Sequence, residues 1–176
     1  MATTCKLIAK NVLGSNATEV TFSSIPTTFD DLLMVASQRN SVSLYGMSIR
    51  FNGDAGANYT YKVLWMAGSS VRSFSSSNNF NTYLYAVTNS SLHTANTFGN
   101  TTLYIPNYAG STNKSCSIES CYENNSSNGR LSATAGLWSN TAAITSISIF
   151  TDFDGTSGST GDSVSGSSFS LYGIKH

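Results

Sequence analysis

Two histidines, His93 and His176, and nine carboxylates are the main acid–base groups of this 176-residue chain. General acid–base or nucleophilic catalysis needs such groups to converge within hydrogen-bond reach. His93 falls in a loop and His176 at the end of the sequence, and no G-x-S-x-G elbow accompanies either. Both read as exposed loop and tail histidines. A glycosidase needs two positioned carboxylates. Glu119 and Glu123 share a side of one strand, yet the rise per residue sets them more than about 12 Å apart. The other candidate acids are Asp30, Asp31, Asp54, Asp152, Asp154 and Asp162. Asp152-Phe153-Asp154-Gly155 has a D-x-D-G spacing that suits calcium, but no third acid or distal glutamate follows in register. A solvated turn is expected there, with Asp152 and Asp154 as a weak calcium candidate. No other metal site and no cofactor is expected.

Cys5, Cys116 and Cys121 make an odd set without C-x-x-C spacing. Cys116 and Cys121 are five apart, so one strand would point them to opposite sides. Free thiols are expected, packed as small apolar groups.

Contact chemistry has better candidates. Trp65, Trp138, Tyr104 and Tyr108 are flat apolar groups with polar tips, the types a sugar-binding surface uses. Both tryptophans fall in strand-like stretches and read as core, whereas Tyr108 falls in a turn and reads as exposed. Leu103 to Ile105 end a strand at Pro106, which has no N–H to give. Asn107 to Asn113 form a polar turn with Gly110 free to take φ > 0, and Lys114 to Ser120 start the next strand. Tyr104, Asn107, Tyr108, Asn113 and Lys114 are therefore the expected partner-contact residues, on a loop held by a rigid sheet.

The elements that position them follow from composition. Charged residues are 10% of the chain, against roughly 25% in ordinary soluble domains, and net charge is zero. Serine, threonine and asparagine fill the gaps between apolar residues. They are poor in helix interiors, while threonine, valine, isoleucine and the aromatics favour strands. An apolar share of 40% and an aromatic share of 11% argue against disorder. With no basic run, nucleic acid is not an expected partner. No apolar stretch is long enough for a signal peptide core or a membrane span, so cytoplasmic synthesis is expected.

Alternating stretches occur at Glu19 to Ile25, Met47 to Phe51 and Tyr59 to Met66, and further strands are expected at Thr82 to Val87, Leu131 to Trp138, Ile144 to Phe150 and Phe169 to Ile174. Met47, Ile49 and Phe51 would face inward, with Ser48 and Arg50 outward. Cys5 to Leu13 reads as a first strand or arm with Leu7, Ala9 and Asn11 on one face, and Leu32 to Arg39 as a central strand buried on both faces. Ala67 to Asn79 reads as loop around one short strand at Val71 to Phe74. Asn52-Gly53-Asp54-Ala55-Gly56 is the strongest turn signal. About ten or eleven strands with turns every 8–12 residues predict an all-β, two-sheet antiparallel β-sandwich, jelly-roll-like. Residues 1–13 would be an N-terminal strand or attachment arm and 14–176 one sandwich domain. The loop from Asp152 to Ser168 is long for a compact domain.

Several blocks carry a resemblance. Phe22-Ser23-Ser24-Ile25-Pro26-Thr27-Thr28-Phe29-Asp30-Asp31-Leu32, Ile49-Arg50-Phe51-Asn52-Gly53-Asp54, Asn58-Tyr59 and Ala95-Asn96-Thr97-Phe98 form one group. Ile105 to Ser115, Ala135-Gly136-Leu137-Trp138 and Leu171-Tyr172-Gly173-Ile174-Lys175 form another. Together they make the chain similar to a family of virion proteins of tailed bacteriophages, common in phages of cyanobacteria and other aquatic bacteria. The resemblance implies a structural virion component rather than an enzyme, made in the host bacterial cytoplasm and located on the virion surface. A capsid decoration (cement) protein is the leading expectation, bound to the major capsid protein or other virion proteins, as a homo-oligomer, with a trimer favoured. Met1 to Lys10 or the hairpin at Asn107 to Ser115 would make the contact. A tail or neck fibre module and a carbohydrate-binding module for a host surface glycan are the alternatives.

Overall fold

The structure, a computed structural model, describes residues 4–43, 46–81, 83–125, 129–151 and 161–176. The described residues contain twelve strands and no helix. These are β1 (Thr4–Val12), β2 (Glu19–Phe22), β3 (Asp31–Gln38), β4 (Gly46–Phe51), β5 (Tyr59–Ala67) and β6 (Ser70–Asn81), then β7 (Leu84–Val87), β8 (Gly99–Pro106), β9 (Lys114–Tyr122), β10 (Arg130–Trp138), β11 (Ile147–Phe150) and β12 (Ser168–Lys175). They form an eight-stranded sheet, β1-β12-β3-β8-β9-β10-β5-β6, and a four-stranded sheet, β2-β11-β4-β7, with every strand pair antiparallel. The expected all-β sandwich is the observed class.

Each sheet is half apolar and hides that half against the other. The large sheet contributes Leu32, Met34, Leu103, Ile105, Ile118, Phe169 and Leu171. The small sheet contributes Val20, Phe22, Met47, Ile49, Phe51, Ile147 and Ile149. At one end Phe51, Tyr59 and Trp138 pack as an aromatic cluster, with Phe51 edge-on to Trp138 at 5.7 Å and Tyr59 stacked on it at 6.4 Å. Arg39 fastens the segment after β7 by donating to the carbonyls of His93 (2.9 Å), Thr94 (2.8 Å) and Thr97 (3.0 Å).

Several local expectations are corrected. Of strand or arm, the first stretch is the strand, paired with β12 from Thr4 to Val12. A bulge between Leu7 and Ala9 moves Leu7 to the outward face, so Leu7, Ala9 and Asn11 do not share a side. β3 is covered on one face only, since outward Val35 is 42% exposed. In β4, Ser48 and Arg50 alternate with the core residues as expected but are themselves buried. The Ser-rich stretch after Gly68 is one long strand, β6, because the open edge of β5 offers its backbone a partner. The Asn52–Gly53 turn has both residues at positive φ (53° and 66°), yet it hands the chain from the small sheet to the large one rather than closing a hairpin.

Registers align the outward face of the large sheet in rows that cross all its strands. One row runs Val12, Ser168, Ser37, Asn100, Cys121, Leu131, Met66, Val71. The next holds Lys10, Val35, Glu119, Ala133 and Leu64, and a third holds Leu7, Leu33, Tyr104, Ala135 and Lys62.

Candidate functional site

The hairpin loop between β8 and β9 is where sequence places partner contact. Asn107 and Asn113 are exposed there. Tyr108 is not: it is 0% exposed, and its hydroxyl donates to the carbonyl of Pro26. Its own carbonyl accepts the N–H of Ile144 at 3.0 Å. Lys114 is 1% exposed, and its Nζ donates to the carbonyls of Gly110 (2.6 Å), Thr112 (2.5 Å) and Thr141 (3.3 Å). Burial holds its pKa below that of a free lysine. Tyr104 is half-buried and donates its hydroxyl to Asp31 Oδ2 at 2.7 Å. Of the five expected contact residues, Tyr108 and Lys114 are internal braces and Tyr104 is tied to a carboxylate. The left-handed residue of the turn is Asn107 (φ 49°), not Gly110. A Cβ on Gly110 would lie 2.3 Å from Asn107 Oδ1, at the end of an exposed side chain that can swing aside.

Beside this loop the chain gathers Asp30, Asp31, Lys175 and His176. Asp31 Oδ1 accepts the N–H of Asn107 at 3.0 Å, and Oδ2 lies 2.8 Å from His176 Nε2. Asp30 accepts Lys175 Nζ and the His176 N–H, each at 2.7 Å. Burial pushes the Asp31 carboxyl up, but the hydrogen bonds from Tyr104, Asn107 and His176 outweigh it and hold its pKa below 3.8. The cluster ties the ends of β3, β8 and β12 together.

The Asp31 pKa is depressed on folding, so the folded state binds fewer protons than the unfolded chain. Its contribution is complete above the unfolded value of about 3.9 and is lost as pH falls through the folded one. Urea melts should show stability falling below about pH 4, and Asp31→Asn should flatten that fall while lowering stability at pH 7. An Asp31→Asn protein as stable as the parent at pH 7 would contradict the clamp.

The turn after β4 has its own hub. Asp54 Oδ2 accepts the indole N–H of Trp138 at 2.7 Å and the Asn58 amide at 2.8 Å, and Oδ1 accepts the Gly56 N–H at 2.8 Å. Burial pushes this carboxyl up, and the three bonds bring it below the ordinary value. Trp138, 1% exposed, is core as expected. Trp65 is only half-buried, with Arg130 and Arg72 guanidinium carbons 4.5 Å and 5.6 Å from its ring centroid. Trp65, expected in the core, meets Arg130 from β10 and Arg72 from β6, and the place of Arg72 is legible only once β6 is known to pair with β5.

His93 is half-buried against Tyr122 at 4.5 Å, not exposed as expected, and its Nδ1 accepts the Ser90 N–H at 3.1 Å. Glu123 Oε2 accepts the Asn125 N–H, and Glu119 stands on the outward face. Cys116 is buried, with its pKa pushed up to about 12 by desolvation, and Cys121 points to the other face; with Cys5 both are free thiols. Asp152 and Asp154 lie outside the described residues. Among the described residues no group of three or more His, Cys, Asp or Glu could hold a metal. No helix among them is long and apolar enough to cross a membrane. Compared with models of known protein families and with curated proteins, the chain matches none.

Proposed function

We propose that this protein is a non-enzymatic structural component on the exterior of a tailed-phage particle, a capsid decoration protein that adheres through the outward face of its eight-stranded sheet. The carrying observation is that seven of the nine large apolar residues found exposed lie on that one face: Leu7, Val12, Val35, Leu64, Met66, Val71 and Leu131. Only Lys10, Lys62 and Glu119 bring charge to its three central rows. Eight strands about 4.8 Å apart make the face about 34 Å wide, and three rows about 7 Å apart give roughly 700 Å². That is close to the roughly 800 Å² per partner of a stable protein interface. Many copies on a symmetric shell compensate for a modest single contact, and a trimer on symmetry points fits that use. The blocks that resemble phage virion proteins build the opposite requirement, a stiff body: they supply the Asp31, Asp54 and Lys114 braces.

The glycan alternative through Tyr108 loses its platform, because that ring is buried. The test is co-sedimentation with expanded, undecorated phage heads. Saturable, stoichiometric binding is expected, and Leu131→Asp, at an exposed site, should abolish it without changing the fold. Binding to tail structures alone, or unimpaired binding by the variant, would overturn the reading.

A further inference from the structure

We propose that β6, the open edge of the large sheet, pairs antiparallel with β6 of a second copy across a two-fold axis. This goes beyond the adhesive reading and does not rest on it. β6 is the last strand of the eight, and among the described residues it pairs with β5 alone. The turn into it is a two-residue hairpin, Gly68 (φ 55°) and Ser69, closed by Ala67 and Ser70. Such a hairpin is closed by a pair that exchanges both backbone hydrogen bonds, and bonded pairs then alternate with unbonded ones. Ser70, Arg72, Phe74 and Ser76 therefore bond β5. Val71, Ser73 and Ser75 turn their N–H and C=O groups to the open edge, where no turn or loop bond among the described residues reaches them.

Natural sheets blunt an open edge with lysine, proline, a bulge or shortness. The other end of this sheet does so, since β1 carries Lys6, Lys10 and a bulge between Leu7 and Ala9. The edge strands of the small sheet, β2 and β7, have four residues each. β6 runs in regular register from Ser70 to Ser76 without lysine, proline or acid, and Val71 is 63% and Phe74 40% exposed. Its one charge, Arg72, is drawn back over its own sheet, 5.6 Å from the Trp65 ring centroid. Apolar exposure gathers at the same edge: Leu64, Met66, Val71, Phe74 and Leu131 all lie on β5, β6 and β10.

The occupant follows from register. One self-pairing uses all the edge groups of Val71, Ser73 and Ser75: Ser73 opposite Ser73 of the second copy, and Val71 opposite Ser75. Each of those three pairs then exchanges two bonds. The same register sets each Arg72 opposite the Phe74 of the other copy rather than opposite an arginine, and like charges directly opposed would destabilise the pair. A self-complementary edge selects its own copy over an unrelated extended segment. Pairing joins the two large sheets and sets their outward faces side by side. Seven residues make an edge only about 24 Å long, well short of a standard interface, so a micromolar dimer is expected.

Sedimentation equilibrium of the full chain between roughly 1 and 300 µM should show monomer giving way to dimer. Ser73→Pro should weaken that association at least about tenfold while melting with the parent, because the lost N–H serves only the open edge. Ser73→Cys in a Cys5→Ser background should oxidise to a covalent dimer, since bonded antiparallel pairs hold their Cα atoms about 5.5 Å apart. Ser75→Cys in that background should not, because its two copies lie four residues out of step. A chain that stays monomeric or forms only trimers, a dimer that survives Ser73→Pro, or equal cross-linking at 73 and 75 would overturn the proposal. Leu131→Asp lies two strands in from the edge and should leave the dimer intact, so this reading and head binding fail independently.

Discussion

Lys114→Met is expected to destabilise the protein by about 3 kcal/mol, a fall in Tm of roughly 10 °C for a domain of this length. Two effects oppose each other. Methionine removes an ammonium whose burial is costly, which favours the variant. It also strips the donor from the carbonyls of Gly110, Thr112 and Thr141. Hydrogen bonds to a charged donor contribute about 1.5–3 kcal/mol each, and two of these three are short, so their loss wins. Water recovers part of it, because Thr112 and Thr141 are exposed. The Nζ also joins the β8–β9 loop to the segment leading into β11, so that loop should become protease-sensitive. Asn113→Ala is the control: its side chain is exposed, and a change within about 0.5 kcal/mol is expected. Thermal melts and limited proteolysis measure both. A Lys114→Met protein that melts with the parent would show that the ammonium does not brace the loop.

That residue also marks where sequence reading stopped. In the strand from Lys114, Ser115, Ser117 and Glu119 alternate against Cys116, Ile118 and Ser120, and the second set is the buried one, because a strand has a fixed period. Period says nothing about a turn. Tyr108 and Lys114 border a polar loop, and polarity there reads as exposure. Their burial depends on Pro26 and Thr141, which reach the loop from distant parts of the sequence. The same limit hid β6. Val71, Phe74 and Phe80 aside, its serines and asparagines carry little apolar signal, and what makes them a strand is the unpaired edge of β5. The dense apolar run of β3 misled in the other direction. Apolar residues on both sides suggested double burial, yet the outward side carries Val35 into the exposed face on which the proposed adhesion rests.

That stiff body leads to a second large effect, at Gly173. The glycine lies on the inward side of β12, and a Cβ there would sit 2.3 Å from the Phe29 ring. Those atoms cannot coexist, so Gly173→Ala must displace the ring or bend β12. An overpacked site of this kind costs about 1–3 kcal/mol, and the upper end is expected because a planar ring has no flexible end to yield. Phe29→Ala alone should cost about 2 kcal/mol, since the ring is half-buried against the core. The double variant separates contact from general damage. With the ring gone, alanine at 173 has room and loses less chain entropy than glycine, so the second substitution should cost nothing or return up to about 1 kcal/mol. The coupling energy should therefore be about 3–4 kcal/mol. Additive effects in urea melts would mean that Phe29 does not lie on Gly173. Phe29 precedes Asp30 and Asp31, so the Gly173→Ala variant should also loosen the clamp and raise the pH at which acid unfolding begins.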